Sequence, residues 1–214
     1  MNKEIAFIHT TSLVINPVKE NVEELSGSYS FMHLLDEALL KCMMSEGNTP
    51  ELTVPWLENI ANNAVRGGAS AAIVTCSSLS MSVEQVRSHI GIPIVSIDRE
   101  LYEYVLANCD NPVILMTNPT NQEPTAHMQK QLNSSMPVKI CPDAFESLCR
   151  GDSLKHDKQV VDEIEKLADK HDGIMLAQIS IERVRSLLSP EIRSKVFSSL
   201  DFLEKTIKKI SKEV

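Results

Sequence analysis

The chain has 214 residues, 43% hydrophobic and 23% charged, which is enough apolar material for sizeable cores and argues against disorder. A formal net charge of −8 without a basic stripe argues against nucleic-acid binding. No stretch reads as a membrane span or a signal peptide, so we expect no membrane partner. Five cysteines, an odd number without a C-x-x-C pair, favour reduced thiols and a cytoplasmic location over disulfides or structural zinc.

Strand-like and helix-like apolar patterns alternate along the chain. In chain order we predict strand Glu4–His9, helix Phe31–Met43, helix Pro50–Val65, strand Ala71–Thr75, helix Met81–Ile90, strand Pro93–Ile97, a helix after Asp98 through Asn108, strand Val113–Met116, helix Thr125–Leu132, strand Val138–Cys141, helix His156–His171, strand Ile174–Ala177, a helix near Ser180–Leu188 and helix Phe197–Ile210. The segments Asn16–Gly27 and Asn118–Pro124 are predicted as loops at strand ends. This alternation predicts an α/β fold with parallel sheets and helices on their faces.

The second half of the chain repeats the pattern of the first. The first strand and its hydroxyl residues, Ile5–Thr11, are similar to Val113–Asn118, and Ala72–Ser78 is similar to Ile174–Ser180. The repeat predicts two similar Rossmann-like lobes with parallel sheets, related by pseudo-twofold symmetry. We assign residues 1–97 with 197–214 to the first lobe and residues 98–196 to the second. If the lobes face each other, Cys76 and Gln178 look into one cleft from opposite sides.

Cys76 is the strongest candidate for chemistry. It follows the apolar strand Ala71–Thr75 and precedes a predicted helix, and ligands bind at the carboxyl ends of strands in open α/β sheets. A thiol near the unpaired N–H groups of a helix N-terminus tends to have a lowered pKa. We therefore expect a reactive thiol at Cys76, against the alternative of a cysteine packed as a small apolar residue.

Several segments, in their order and spacing, resemble the aspartate/glutamate racemase superfamily over nearly the whole chain. They are the Ile8–Thr11 loop, Asp36–Leu40, Val74–Ser78, Ile92–Asp98, Thr117–Thr125, Gly151–Asp157 and Leu176–Ser180. The resemblance implies two similar α/β domains with an active-site cleft between them, usually in a homodimer. It also implies a cofactor-independent enzyme in which two cysteines act on opposite faces of a substrate α-carbon.

Hydroxyl residues at the strand ends are candidates for binding the substrate carboxylate and stabilising an enediolate. In the first half these residues are Thr10, Thr11, Ser77 and Ser78, and in the second half Thr117, Thr120 and Ser180. Each of them is equally suited to a cap or a turn. The expected ligand is a small carboxylate or an amino acid.

The chain departs from the racemases at Gln178, where the resemblance places the second cysteine. A carboxamide has no accessible pKa, so Gln178 is predicted to bind ligand but not to transfer protons. This leaves a single-cysteine enzyme with isomerase or lyase-type chemistry as the leading hypothesis. One alternative is a non-catalytic carboxylate-binding protein. Another is a true amino-acid racemase with an unrecognised second base.

Three further residues remain candidates for a part in the site. Cys141 and His9 each end a predicted strand and are the candidate second bases. His156, beside Asp157 at a helix start, is more simply explained as part of an N-terminal cap. No spacing of His, Cys, Asp or Glu indicates a metal site, and no glycine-rich phosphate loop follows a strand.

Overall fold

The computed structural model describes residues 3–213. Its strands are β1 Lys3–His9, β2 Tyr29–Leu35, β3 Ala71–Val74, β4 Ile94–Ser96, β5 Pro112–Met116, β6 Val138–Ile140, β7 Gly173–Leu176 and β8 Val196–Phe197. Its α-helices are α1 Ile15–Val22, α2 Glu37–Glu46, α3 Pro50–Arg66, α4 Ser80–Val86, α5 Arg99–Asn108, α6 Gln122–Gln131, α7 Pro142–Cys149, α8 Ser153–Ala168, α9 Pro190–Arg193 and α10 Leu203–Ile210.

The described chain divides into two compact units. Unit 1 runs to Asp98 and includes the segment from Phe202 onward, and unit 2 is Arg99–Asp201. Helix α10 lies in unit 1, where it packs on α1. The backbone carbonyl of Ser211, just after this helix, accepts a hydrogen bond from the Lys3 ammonium on β1.

Each unit contains a parallel sheet with the same strand order. Within residues 3–213, the sheet of unit 1 runs β2-β1-β3-β4 and the sheet of unit 2 runs β6-β5-β7-β8. All six strand pairings among these described residues are parallel. The α/β fold with parallel sheets is therefore confirmed. The repeat is also visible in the topology, because β1 and β5 hold the second place and β3 and β7 the third.

The central strands are apolar because both of their faces are covered. Every residue of β3 and β7 is buried, as expected for strands in the middle of a parallel sheet. In unit 1 one face packs against α3, whose buried stripe includes Leu57, Ala61 and Ala64. In unit 2 the corresponding cover is α8, with Val160 and Ile164 fully buried.

The predicted helix Phe31–Met43 is wrong in its first half. Residues 29–35 form strand β2, which pairs with β1 in register from Lys3 to His9. The Asp36 side chain then accepts a hydrogen bond of 3.1 Å from the Leu39 amide and starts α2. Aromatic residues in β2 suit a pleated strand, and the pairing with β1 outweighs the helical spacing of the apolar residues.

Other local predictions also differ from the structure. Residues 16–27 carry α1 and a 3₁₀ turn, and residues 118–124 begin another 3₁₀ turn and α6, so neither segment is a plain loop. Phe197 ends strand β8 instead of starting a helix. Helix α7 was not predicted, although Pro142 at its first turn is a typical start signal.

Position 173, the first residue of β7, requires a glycine because Cys109, just after α5, lies very close to it. A Cβ added there would lie 2.5 Å from Cys109 Sγ and 3.0 Å from Cys109 Cβ. We expect Gly173→Ala to lower the free energy of unfolding by about 1–3 kcal/mol through overpacking. Urea unfolding measures this change. Gly91→Ala is the control, because a Cβ there meets nothing within 4 Å, and equal effects of the two substitutions would contradict the packing argument.

Candidate active site

The chain leaves strand β3 at Thr75 and turns at Cys76 into a short 3₁₀ helix, Ser77–Leu79. Cys76 has extended backbone angles (φ −90°, ψ 106°), and its carbonyl accepts a hydrogen bond of 2.9 Å from the Leu79 amide. The thiol thus lies where the strand ends and the helical turn begins, at the carboxyl edge of the sheet. Cys76 itself is half-buried.

Three hydrogen-bond donors act on the Cys76 sulfur. They are the hydroxyl of Thr10, which follows β1, and the backbone N–H and hydroxyl of Ser78. Each of these bonds favours the thiolate, as the sequence suggested for a helix start. Burial nevertheless raises the pKa of the Cys76 thiol above its usual value, and the nearby Asp98 carboxylate acts in the same direction. The expectation of a lowered pKa is therefore wrong, because desolvation outweighs the donors.

Ser77 points to a different partner, the carboxylate of Asp98 just after β4. The Ser77 hydroxyl donates to Asp98 Oδ1 at 3.0 Å, and the Ser96 hydroxyl donates to Oδ2 at 3.1 Å. Asp98 is 5% exposed. The sequence suggested Asp98 only as a helix cap, so its place beside the thiol was missed. The available signal was its position two residues after a serine at a strand end.

Thr11 has a local role. Its hydroxyl oxygen accepts a hydrogen bond of 3.4 Å from the Leu13 amide and caps the 3₁₀ turn Ser12–Val14. The next residue, Ser12, donates through its backbone and hydroxyl to Glu37 Oε1 on α2. Thr11 is therefore tied into its own loop, whereas Thr10 contacts the thiol.

His9 is fully buried at the end of β1, with both ring nitrogens engaged. Nδ1 lies 2.8 Å from Thr75 Oγ1 and Nε2 lies 2.9 Å from His33 Nδ1 on β2. Burial, together with His33 and the Lys19 ammonium, lowers the pKa of His9 to about 4. The ring therefore has no nitrogen left for a substrate proton.

In unit 2 the side chain of Gln178 forms hydrogen bonds with the two residues that follow β5. Its Oε1 accepts hydrogen bonds from the Thr117 amide at 2.7 Å, the Thr117 hydroxyl at 3.1 Å and the Asn118 amide at 3.2 Å. We call these three donors the β5 cradle. Because Thr117 is 1% exposed and Asn118 is 5% exposed, the carboxamide satisfies amides that lie away from water.

Asparagines organise the rest of this edge of unit 2. Asn118 Oδ1 accepts from the Thr120 amide at 3.0 Å, and Asn121 Nδ2 donates to the Ala177 carbonyl at 3.0 Å. Ser180 is half-buried in the 3₁₀ helix Ile179–Leu187 that follows Gln178. Neither asparagine is among the predicted site residues, although each sits at the start of a turn, where Asn commonly bonds to backbone.

The other two candidates for the site, Cys141 and His156, lie in structural positions. Cys141 lies between β6 and α7 as the N-cap residue of α7, it packs against the core of unit 2, and burial and Glu163 raise its thiol pKa. His156 is fully buried on α8, with Nδ1 2.8 Å from Asp157 Oδ1. Asp157 in turn pairs with Arg183 at 2.6 Å.

The two units pair the same positions of the repeat. In unit 1 a threonine after β1, Thr10, donates to the side chain that follows β3, Cys76. In unit 2 a threonine after β5, Thr117, donates to the side chain that follows β7, Gln178. The same local arrangement thus holds a thiol in one unit and a carboxamide in the other.

Across residues 3–213, no group of three or more His, Cys, Asp or Glu side chains is arranged to hold a metal ion. Over the same residues, no helix combines the length and apolar character needed to cross a membrane.

Solved structures share this fold at low sequence identity. An aspartate racemase homologue from Pyrococcus horikoshii OT3 matches with a TM-score of 0.68 and 19% identity, covering 99% of this chain and 100% of that chain. A glutamate racemase isoform from Bacillus anthracis matches with a TM-score of 0.73 and 12% identity, over 97% and 82% of the two chains. An aspartate racemase from Picrophilus torridus matches with a TM-score of 0.72 and 12% identity, over 98% and 95%.

The sequence comparisons place the chain in a family. No curated protein matches the sequence. The family model described as Asp/Glu/hydantoin racemase matches residues 14–203, which is most of the chain and includes Cys76, the β5 cradle and Gln178. The chain therefore belongs to the Asp/Glu/hydantoin racemase family.

Proposed function

We propose that the protein is a cofactor-independent enzyme in which Cys76 alone delivers a proton to a carbanion formed from a small carboxylate. The observation that carries this proposal is the difference between the units. Equivalent strand ends hold a thiol, Cys76, and a carboxamide, Gln178, whose oxygen is already committed to the β5 cradle. A thiol is an acid, whereas a carboxamide neither gives nor takes a proton near neutral pH.

The protonation state of Cys76 selects the kind of reaction. Burial raises the thiol pKa, so the group is protonated at neutral pH and is suited to act as an acid. Addition of a thiolate to a double bond, as an isomerase-type mechanism requires, would need the opposite shift. The raised pKa of Cys76 thus favours lyase-type chemistry over isomerase-type chemistry.

Decarboxylation of a substituted malonate fits a site with one acid. The C–C bond breaks, carbon dioxide leaves, and the electron pair stays on the α-carbon. The Cys76 S–H proton is then transferred to that carbon, and solvent returns a proton to the thiolate. The Thr10 hydroxyl and the Ser78 N–H and hydroxyl stabilise the thiolate that is left. We assign Ser77 and Thr11 to support of the loops around the thiol.

Turnover in deuterated water tests the proposal. With 2-substituted malonates we expect carbon dioxide release and a product with one deuterium on the α-carbon in a single configuration. Cys76→Ala should reduce the rate by at least about 100-fold, since a positioned general acid contributes that much. Cys149→Ala is the control, because Cys149 is exposed on α7.

Aspartate and glutamate, the amino acids in the family's description, test the alternative of a true racemase. Because Gln178 cannot carry a proton, we expect no deuterium at the α-carbon of aspartate or glutamate and no racemisation. Exchange by the natural chain would contradict the single-acid mechanism and favour a true racemase with a second base elsewhere.

A second candidate function is a non-catalytic carboxylate-binding protein on this fold. The raised pKa of Cys76 and the occupied β5 cradle favour it, because both leave the chain without a ready base. Calorimetric binding of malonates with no turnover, and unchanged affinity in Cys76→Ala, would support this function over the enzyme.

A further inference from the structure

A chain of hydrogen bonds runs across the ends of three strands beside the thiol. His33 Nδ1 on β2 lies 2.9 Å from His9 Nε2 on β1, and His9 Nδ1 lies 2.8 Å from Thr75 Oγ1 after β3. The two imidazole rings are nearly parallel, with centroids 5.2 Å apart and 11° between their planes. His9 is 0% exposed, so these bonds replace its contacts with water.

The Ile8 carbonyl is the final acceptor in this series, and it determines which atom donates in each of the hydrogen bonds. The Thr75 hydroxyl donates its one proton to the Ile8 carbonyl at 3.1 Å. Its oxygen must therefore accept from His9, which carries its proton on Nδ1. His9 Nε2 is then an acceptor, and His33 donates to it from Nδ1. All of these hydrogen bonds can form together only while the His9 ring is neutral.

Two members of this series of hydrogen bonds, His9 and Thr75, are followed directly in the sequence by residues of the thiol site. Thr10, which donates to Cys76 Sγ, is bonded covalently to His9, and Cys76 is bonded covalently to Thr75. We propose that His9 and His33 are positioning residues that hold the Thr10 hydroxyl against the Cys76 sulfur, and that they do so only while the His9 ring is neutral. This inference rests on the proposed role of Cys76 as the acid.

Protonation of His9 would disrupt this series of hydrogen bonds at its central member. A protonated His9 carries a proton on Nε2, which would face the Nδ1–H of His33, donor against donor. The charged group that acts on both rings is Lys19 on α1, and it, like burial, lowers the pKa of each. From β3 the neighbour is the uncharged Thr75, and from β2 it is His33. The site is therefore protected from protonation down to moderately acid pH.

Two pairs of substitutions separate the hydrogen bonds from the shape of the side chains. His33→Asn keeps an N–H donor toward His9, whereas His33→Leu removes it. Thr75→Ser keeps the hydroxyl, whereas Thr75→Val removes it. The readout is the pH profile of iodoacetamide labelling of the Cys76 peptide, followed by mass spectrometry. Its midpoint reports the thiol pKa separately from its plateau, which reports access.

We expect wild type, His33→Asn and Thr75→Ser to share one midpoint. In His33→Leu and Thr75→Val the midpoint should rise by roughly 0.5–1 pH unit, because a lost hydrogen bond from Thr10 no longer stabilises the thiolate. His89→Leu is the control, since that ring is exposed and pairs with Glu58. Folded Leu and Val variants with the wild-type midpoint would overturn the proposal.

A measurement on the unaltered protein keeps the test decisive if a variant does not fold. Nitrogen-15 NMR of the histidine rings should show His9 as the neutral Nδ1–H form at pH 6. A protonated His9 at that pH, or the Nε2–H form, would overturn the assignment. Failure of the malonate reaction with the expected midpoint shifts would reject the proposed function alone. Turnover with unmoved midpoints would reject only the positioning role.

Discussion

Acidification from about pH 7 to about pH 4 is expected to remove about 3 kcal/mol from the free energy of unfolding of unit 1 through His9 alone. The buried ring has its pKa lowered from 6.5 to about 4. The unfolded chain therefore binds this proton at a higher pH than the folded chain does. The stabilisation is complete above about pH 6.5 and is lost as the pH falls toward 4, and the lowered pKa of His33 acts in the same direction.

Fluorescence of Trp56 during urea unfolding reports on unit 1. Trp56 is the single tryptophan, it lies on α3, and its indole N–H donates to Asp36 Oδ2 at 2.7 Å. His9→Gln removes the titrating ring and should flatten the pH dependence by about 3 kcal/mol, whatever its cost at pH 7. His89→Gln is the control, because that ring is exposed. A wild-type slope in His9→Gln would show that the ring does not carry the effect.

Gln178→Leu is expected to lower the free energy of unfolding by about 2–4 kcal/mol, because it leaves buried N–H groups without an acceptor. The amides of Thr117 and Asn118 both donate to Gln178 Oε1, and both residues are buried. Leucine keeps the approximate shape of the side chain but offers no oxygen. Circular dichroism during urea unfolding measures the loss, and hydrogen exchange at the two amides locates it.

Gln178→Glu is the matched control, because it keeps an oxygen in the place of Oε1. At pH 7 its stability should lie within about 1 kcal/mol of wild type, since a carboxylate accepts the same donors. The donors favour the charged form, so the introduced carboxyl should have a pKa below the usual value of about 4.3. Equal losses from the Leu and Glu substitutions would mean that the β5 cradle does not stabilise the unit.

The sequence pattern predicts the buried central strands correctly, but it fails for β2 at the edge of its sheet. β3 and β7 are short apolar runs between polar residues, and such runs have few alternatives in an α/β chain. The helical spacing of Phe31, Leu34 and Leu35 predicts a helix, although these residues lie in β2. Only the pairing with β1 decides that these residues form a strand, and pairing is not visible in local spacing.

The sequence likewise predicted some features of the candidate site and not others. The position of Cys76 at a strand end, the absence of a second thiol at Gln178 and the hydroxyl residues beside both were readable from the chain. The sign of the Cys76 pKa shift was not, because donors near a helix start are local features whereas burial is the sum of all packed elements. His9 was expected to face a substrate, but its contacts with β2 and β3 occupy both nitrogens.

By itself, the sequence determined the α/β class, the internal repeat, the thiol of unit 1 and the carboxamide of unit 2, because these depend on residue type and order. The tertiary structure decided the order of the strands, the burial that keeps Cys76 protonated, the coupling of His33 to His9, and the closure of Gln178 on the β5 cradle. Each of these depends on residues that are distant in the chain and that only the packing of strands brings within hydrogen-bond distance.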